Sequence, residues 1–165
     1  MTLDQVIAQI LNPGLAQLPL AMDSPAARVM LLTIGQQESK FQARAQVLNG
    51  GGKGPARGFW QFERGGGVKG VMQHHTTTGH AHRLCADQGG VEWDAAAIWE
   101  RLETDDLLAC GFARLLLYSD PKPLPAIGDA DAAWELYAVR TWRPGKPHRD
   151  TWNGYYDKAR AALGV

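Results

Sequence analysis

One acidic residue stands where a carboxyl group could carry out acid–base chemistry. Glu38 follows an apolar helical stretch that runs through Ile34, and it precedes Phe41 and a glycine-rich segment. A carboxylic acid beside an apolar wall loses solvation, so its pKa rises and it can stay protonated near neutral pH. A protonated acid of this kind can donate to a leaving group. This position makes Glu38 the candidate catalytic acid.

Two short motifs carry a family resemblance. The letters ESKF at 38–41 are preceded by IGQQ and followed, after the glycine-rich stretch, by GFWQ at 58–61. This arrangement resembles the Glu-Ser-x-Phe and Gly-Leu-Met-Gln-like motifs of the bacterial and phage lytic transglycosylases, within the lysozyme-like superfamily. The resemblance covers the region around these motifs and implies a lysozyme-like α domain.

The resemblance also implies a reaction and a substrate. The family cleaves the β-1,4 bond between N-acetylmuramic acid and N-acetylglucosamine in peptidoglycan. Glu38 would be the single acid/base: it would protonate the glycosidic oxygen and then take a proton from the muramoyl C6 hydroxyl. That hydroxyl would close on C1 and leave a 1,6-anhydro end, so a second carboxylate is not required.

Several neighbouring residues are candidate substrate contacts. By the same resemblance, the Gln61 amide would hydrogen-bond near the reacting sugar, and Ser39 would lie beside it. An amide suits this role because it both donates and accepts without adding charge. Aromatic rings stack on the apolar faces of sugars, and Trp60 in the glycine-rich loop is the best candidate for that contact.

The third block of the family, an Ala-Tyr-Asn-Ala-Gly-like run, is altered here. Tyr137 can take the role of the tyrosine beside the acid, with Ala138 where asparagine is expected. Alternatively, the segment 142–145 can align, with Trp142 in place of tyrosine. We favour Tyr137, because a phenol can hydrogen-bond to a carboxylate whereas an indole offers only one N–H.

Two alternative functions stay open. A hydrolytic muramidase, of the lysozyme or endolysin type, needs a second group to place water or to stabilise the oxocarbenium ion. Glu63 is the best second carboxylate, because in an extended strand it would share a face with Gln61. The altered third block is compatible with the other alternative, a non-catalytic glycan-binding or virion structural module.

A histidine-rich segment raises the question of a metal site. His74, His75, His80 and His82 lie close together in the sequence. No pair has the i, i+4 spacing of a helical metal site, and no HExxH or CxxC motif is present. We therefore expect neither a metal nor a cofactor, and we interpret the segment as a solvated loop.

Composition limits the possible partners. Lys plus Arg and Asp plus Glu number 17 each, so the basic excess of nucleic-acid-binding proteins and the polybasic patches of membrane-surface proteins are both missing. We expect a monomer that binds peptidoglycan strands, without nucleic acid and without stable membrane association. The sequence MTLDQVIAQILNPG lacks the basic start and the unbroken apolar run of a signal peptide. We expect synthesis in the cytoplasm and action at the cell wall, as for a phage enzyme released through a holin or carried by the virion.

The pattern of helix signals predicts a mainly α fold. We expect one domain over 1–165, with a glycine-rich loop or small β-hairpin inserted after the second helix. Ser24 with Pro25 marks the start of that second helix, and Asn12-Pro13-Gly14 predicts the end of the first. Cys85 and Cys110 lie in apolar helical stretches and are interpreted as reduced, buried thiols.

Overall fold

The structure is a computed structural model, and it describes residues 1–87 and 89–165. Helices form most of the chain, which confirms the predicted mainly α class. The helical segments are Leu3–Val6, Ile7–Leu11, Asn12–Leu15, Leu20–Met22, Pro25–Ser39, Arg64–Val68, Lys69–Gln73, Thr78–Asp87, Ala95–Arg101, Asp106–Tyr118, Ala130–Glu135, Leu136–Thr141 and Arg149–Leu163.

A small antiparallel sheet follows the Pro25–Ser39 helix. Its strands are β1 (Ala45–Val47), β2 (Lys53–Arg57) and β3 (Phe62–Glu63), in the order β1-β2-β3. The predicted β insertion after the second helix is therefore present, and it has three strands rather than the two of a hairpin. The turn that joins β2 to β3 contains the GFWQ motif.

Local sequence signals explain one helix boundary and fail at another. The Ser24 hydroxyl accepts a hydrogen bond from the Ala27 N–H at 3.2 Å, with Pro25 in the first turn, as predicted. The predicted stop at 12–14 is wrong. A π-helical segment, Ile7–Leu11, leads directly into the α-helical segment Asn12–Leu15; because its turns are wider than those of an α-helix, we call such a stretch a wide helical segment. Pro13 lies at the start of the second segment, directly after the wide turn.

The Asp106–Tyr118 helix runs through the centre of the core. Every residue from Leu108 to Leu117 is buried, and the core cluster includes residues from the first helix, the Pro25–Ser39 helix, the sheet and the last helix. Cys85 and Cys110 are buried and not disulfide-bonded, as expected. Burial raises the pKa of the Cys85 thiol to about 11 and that of Cys110 to about 12, so both thiols are poor nucleophiles at neutral pH.

Among residues 1–87 and 89–165, no helix has the length and apolar character that are needed to cross a bilayer.

Candidate active site

Glu38 lies in the last turn of the Pro25–Ser39 helix, at the junction between the helical core and the sheet. Its side chain is partly buried, and its carboxyl oxygen Oε1 accepts a hydrogen bond of 2.7 Å from the hydroxyl of Tyr137. No lysine, arginine or histidine forms an ion pair with Glu38 in the described part of the chain. The carboxyl group therefore lies in a half-buried site where its one hydrogen-bond donor is neutral.

Burial controls the protonation of this carboxyl group. Loss of solvation raises the pKa of Glu38 from 4.5 to about 7; the hydrogen bond from Tyr137 opposes the rise, and the negative charge of Glu63 adds to it. An acid with a pKa near neutrality can give up a proton and take one back in the same reaction cycle. The site therefore has the electrostatic character that the sequence predicted for Glu38.

Tyr137 is held in place by aromatic packing. Its ring stacks on Trp152 with a centroid separation of 4.9 Å and an interplanar angle of 15°, and it contacts Trp134 at 5.5 Å. Tyr137 is itself buried, and burial together with the neighbouring carboxylate raises the pKa of its hydroxyl. The phenol therefore stays protonated and acts as a hydrogen-bond donor to Glu38.

The two alignments of the third block are distinguished by their contacts. Tyr137 contacts Glu38, whereas the indole N–H of Trp142 donates to the carbonyl of Trp60 at 2.9 Å. Both residues lie at or next to a wide helical segment, Leu136–Thr141, and the N–H of Trp142 bonds to the carbonyl of Tyr137. Wide helical turns of this kind are frequent at functional sites because they change the direction of side chains.

The predicted role of Trp60 in sugar stacking is wrong. Its side chain is completely buried, and its indole N–H donates to the carbonyl of Leu31 at 2.9 Å. The ring packs edge-on against Phe41. Trp60 therefore anchors the β2–β3 turn to the Pro25–Ser39 helix and is not accessible to a ligand.

Ser39 joins the end of the same helix to the β2–β3 turn. Its hydroxyl oxygen lies 2.7 Å from the carbonyl of Phe59 and 3.1 Å from that of Gly35, and it accepts from the N–H of Phe41 at 3.1 Å. These backbone contacts engage its donor and one lone pair. The geometry therefore gives Ser39 a structural role, and its contact with substrate stays a prediction.

Gln61 and Glu63 flank the turn, but not in the way predicted. Gln61 has a left-handed backbone (φ 51°), so the two residues do not belong to one extended strand, and the alternation argument for a shared face fails. The Gln61 amide donates to the carbonyl of Gly58 at 2.8 Å, which leaves its carbonyl oxygen and a second N–H for other partners. Glu63 is exposed, and its charge acts on Glu38.

Two consecutive left-handed residues follow Glu38 and Ser39. Lys40 and Phe41 have φ values of 54° and 53°, a conformation that costs about 1–2 kcal/mol for each residue with a side chain. The turn places the buried Phe41 ring against Gly35, in the preceding turn of the helix. A Cβ atom at Gly35 would overlap with Cζ and Cε1 of Phe41.

We expect Gly35→Ala to destabilise the protein by about 1–3 kcal/mol, because the enclosed Phe41 ring must move. Gly154→Ala is the matched control: it changes another helical glycine, with no atom within 4 Å of the added Cβ. That control should stabilise the protein by about 0.5–1 kcal/mol, since alanine is the better helix former. Urea unfolding of both variants measures the difference, and equal changes would contradict the packing of Phe41 on Gly35.

We expect Tyr137→Phe to raise the pKa of Glu38, because the lost hydrogen bond favours the ionised carboxylate. Hydrogen bonds to charged groups contribute about 1.5–3 kcal/mol, which corresponds to a rise of about one to two pH units. A ¹³C NMR titration of the Glu38 carboxyl carbon measures the change. Tyr155→Phe, which removes a hydroxyl from the last helix, is the control, and an unchanged titration in Tyr137→Phe would contradict the assigned hydrogen bond.

The histidine segment does not converge on a metal-binding geometry. In the part of the chain that the structure describes, no group of three or more His, Cys, Asp or Glu side chains could hold a metal ion. His74 and His75 contact each other, while His82 packs against Trp93 in a different place.

Sequence reasoning missed the roles of two tryptophans near the site. Trp152 is completely buried, and nothing in its local sequence indicates that it supports Tyr137. Trp142 connects the wide helical segment to the β2–β3 turn. Both contacts join segments that are distant along the chain, so helical periodicity gives no sign of them.

Comparisons with protein-family models, with curated proteins and with solved structures found no match to this chain.

Proposed function

We propose that the protein cleaves the glycan strand of peptidoglycan by lytic transglycosylation, with Glu38 as the single acid and base. The observation that carries this proposal is the half-buried Glu38 carboxyl, with a pKa of about 7 and a hydrogen bond from the neutral Tyr137. The ESKF and GFWQ motifs, which are joined by the hydrogen bond from the Ser39 hydroxyl to the carbonyl of Phe59, add support from the family resemblance. We also propose that the domain has a lysozyme-like fold.

The proposed reaction needs one proton that is given and then recovered. Protonated Glu38 transfers its proton to the glycosidic oxygen as the bond from that oxygen to the muramoyl C1 breaks. The resulting carboxylate then accepts the proton of the muramoyl C6 hydroxyl while the C6 oxygen bonds to C1. Glu38 is protonated again at the end, and the products are a 1,6-anhydromuramoyl end and a free hydroxyl on the departing sugar.

The hydrolytic alternative is favoured by one specific observation. Glu63 is exposed, makes no ion pair with the described residues, and lies close enough to Glu38 for its charge to raise the pKa of that acid. A carboxylate in this position could activate a water molecule against C1. The same Glu38 would then serve a muramidase, with reducing ends as products.

Product analysis separates the two reactions. Purified peptidoglycan sacculi are digested with the protein, and the released muropeptides are identified by mass spectrometry. We expect 1,6-anhydro ends, and we expect Glu63→Gln to retain most of the activity. Reducing ends together with a strong loss in Glu63→Gln would establish the hydrolase. No release by folded protein would contradict both reactions and favour a non-catalytic glycan-binding module.

A further inference from the structure

The central helix carries a buried cation that forms no ion pair with residues 1–87 or 89–165. Arg114 is 4% exposed, and its Nε donates to the carbonyl of Met22 at 2.6 Å. Its Nη1 is buried and has no hydrogen-bond partner among the residues that the structure describes. The nearby carboxylate of Asp23 is engaged by Arg28, at 2.6 Å and 2.7 Å. Arg114, Arg28 and Asp23 together therefore carry one positive charge that is not neutralised. Burying an unpaired charge costs free energy.

The same arginine forms part of the wall of a surface cavity of about 370 Å³. Leu117 and Leu124 contribute apolar surface to this cavity, and Lys122 contributes a second cation. Asp120, the acidic residue in the lining, accepts from Arg140 at 3.1 Å and from the backbone N–H of Lys122 at 3.0 Å. Its charge is therefore already engaged, and the remaining charge of the cavity is positive.

We propose that this cavity binds a small organic anion, either a carboxylate or a phosphate ester, through Arg114 and Lys122. The planar guanidinium group matches the oxygen atoms of such anions and binds them by charge-assisted hydrogen bonds. The leucine side chains contact the carbon skeleton of the ligand, and their low polarity strengthens the ionic contact. This site is distinct from the candidate active site, because Glu38, Gln61, Glu63 and Tyr137 are not part of its lining.

The test is an NMR titration of the ¹⁵N-labelled protein at pH 7, with ionic strength held constant by sodium chloride. Inorganic phosphate and butanoate are the two probes. We expect saturable shifts of the backbone N–H signals of the non-proline residues in 117–124, with weaker binding by about tenfold or more in Arg114→Met. Tighter binding of phosphate would identify a phosphorylated ligand, and tighter binding of butanoate a carboxylate; either result supports the site.

Two further variants keep the test decisive if Arg114→Met does not fold. Lys122→Met removes a cation from the cavity, and Lys158→Met removes an exposed cation from the last helix. We expect Lys122→Met to bind the probes more weakly than wild type and Lys158→Met to bind them as wild type does. Equal binding by wild type, Lys122→Met and Lys158→Met, or no saturable shift with either probe, would overturn the proposal.

Discussion

Replacing Glu38 with glutamine should lower the rate of glycan cleavage by about 10²–10⁴-fold, the usual contribution of a general acid–base group. Glutamine keeps the shape of the side chain and can still accept the hydrogen bond from Tyr137, but it has no acidic proton to transfer to the glycosidic oxygen. The loss should therefore appear without a change in fold. Release of soluble muropeptides from purified sacculi measures the rate, and circular dichroism checks the helical content.

Glu100→Gln provides the control for this substitution. Glu100 is an exposed glutamate in the Ala95–Arg101 helix, so its replacement makes the same chemical change away from the site. We expect the control to retain full activity. Cleavage by Glu38→Gln at the rate of wild type would contradict the assignment of the acid, even if the protein degrades peptidoglycan by another route.

The raised pKa of Glu38 could be predicted from a simple physical feature. A carboxylic acid beside an apolar wall is partly desolvated, and the pKa of Glu38 rises to about 7. Hydrogen-bonding capacity favoured Tyr137 over Trp142 as its neighbour, and the expected hydrogen bond is present. The family resemblance was also needed, because it singled out Glu38 among the acidic residues and pointed to the third block as the source of its neighbour.

The environment of the glycine-rich turn could not be predicted in the same way. Glycines around Trp60 suggested an exposed loop, yet Phe59 and Phe62 are also buried, and the turn packs against the core. The decisive contact, from the Trp60 indole to the carbonyl of Leu31, joins distant parts of the chain. A left-handed conformation is usually indicated by glycine, but here it occurs at Gln61. The interpretation of 61–63 as an extended strand was therefore wrong.

The wide helical segments had no sequence signal. Leu136–Thr141 reads as ordinary amphipathic helix, since one extra residue in a turn leaves most of the apolar periodicity intact. In the structure, this segment places the Tyr137 hydroxyl within hydrogen-bond distance of Glu38. Trp142, which follows the segment, donates to a carbonyl of the β2–β3 turn. The fold class therefore follows from composition and pattern, while the orientation of the supporting residues depends on tertiary contacts.

The raised pKa of Glu38 also predicts how stability depends on pH. In the unfolded chain, Glu38 loses its proton near its ordinary value of 4.5, whereas in the folded protein it keeps the proton up to about 7. Between these values the folded state binds more protons, so the free energy of unfolding falls as pH rises. This effect lowers the free energy of unfolding by at most about 3 kcal/mol. The loss of stability is absent below pH 4.5 and complete above pH 7.

Urea unfolding of wild type and Glu38→Gln between pH 4.5 and 8 isolates this contribution, since the other titrating groups are common to both proteins. Stability of the wild type relative to Glu38→Gln should decline through this range and then level off. Tyr137→Phe should show a larger decline, because it lacks the hydrogen bond that favours the ionised carboxylate. Parallel curves for wild type and Glu38→Gln would mean that Glu38 is ionised at no cost in the folded protein, and the half-buried acid on which the proposed chemistry depends would be contradicted.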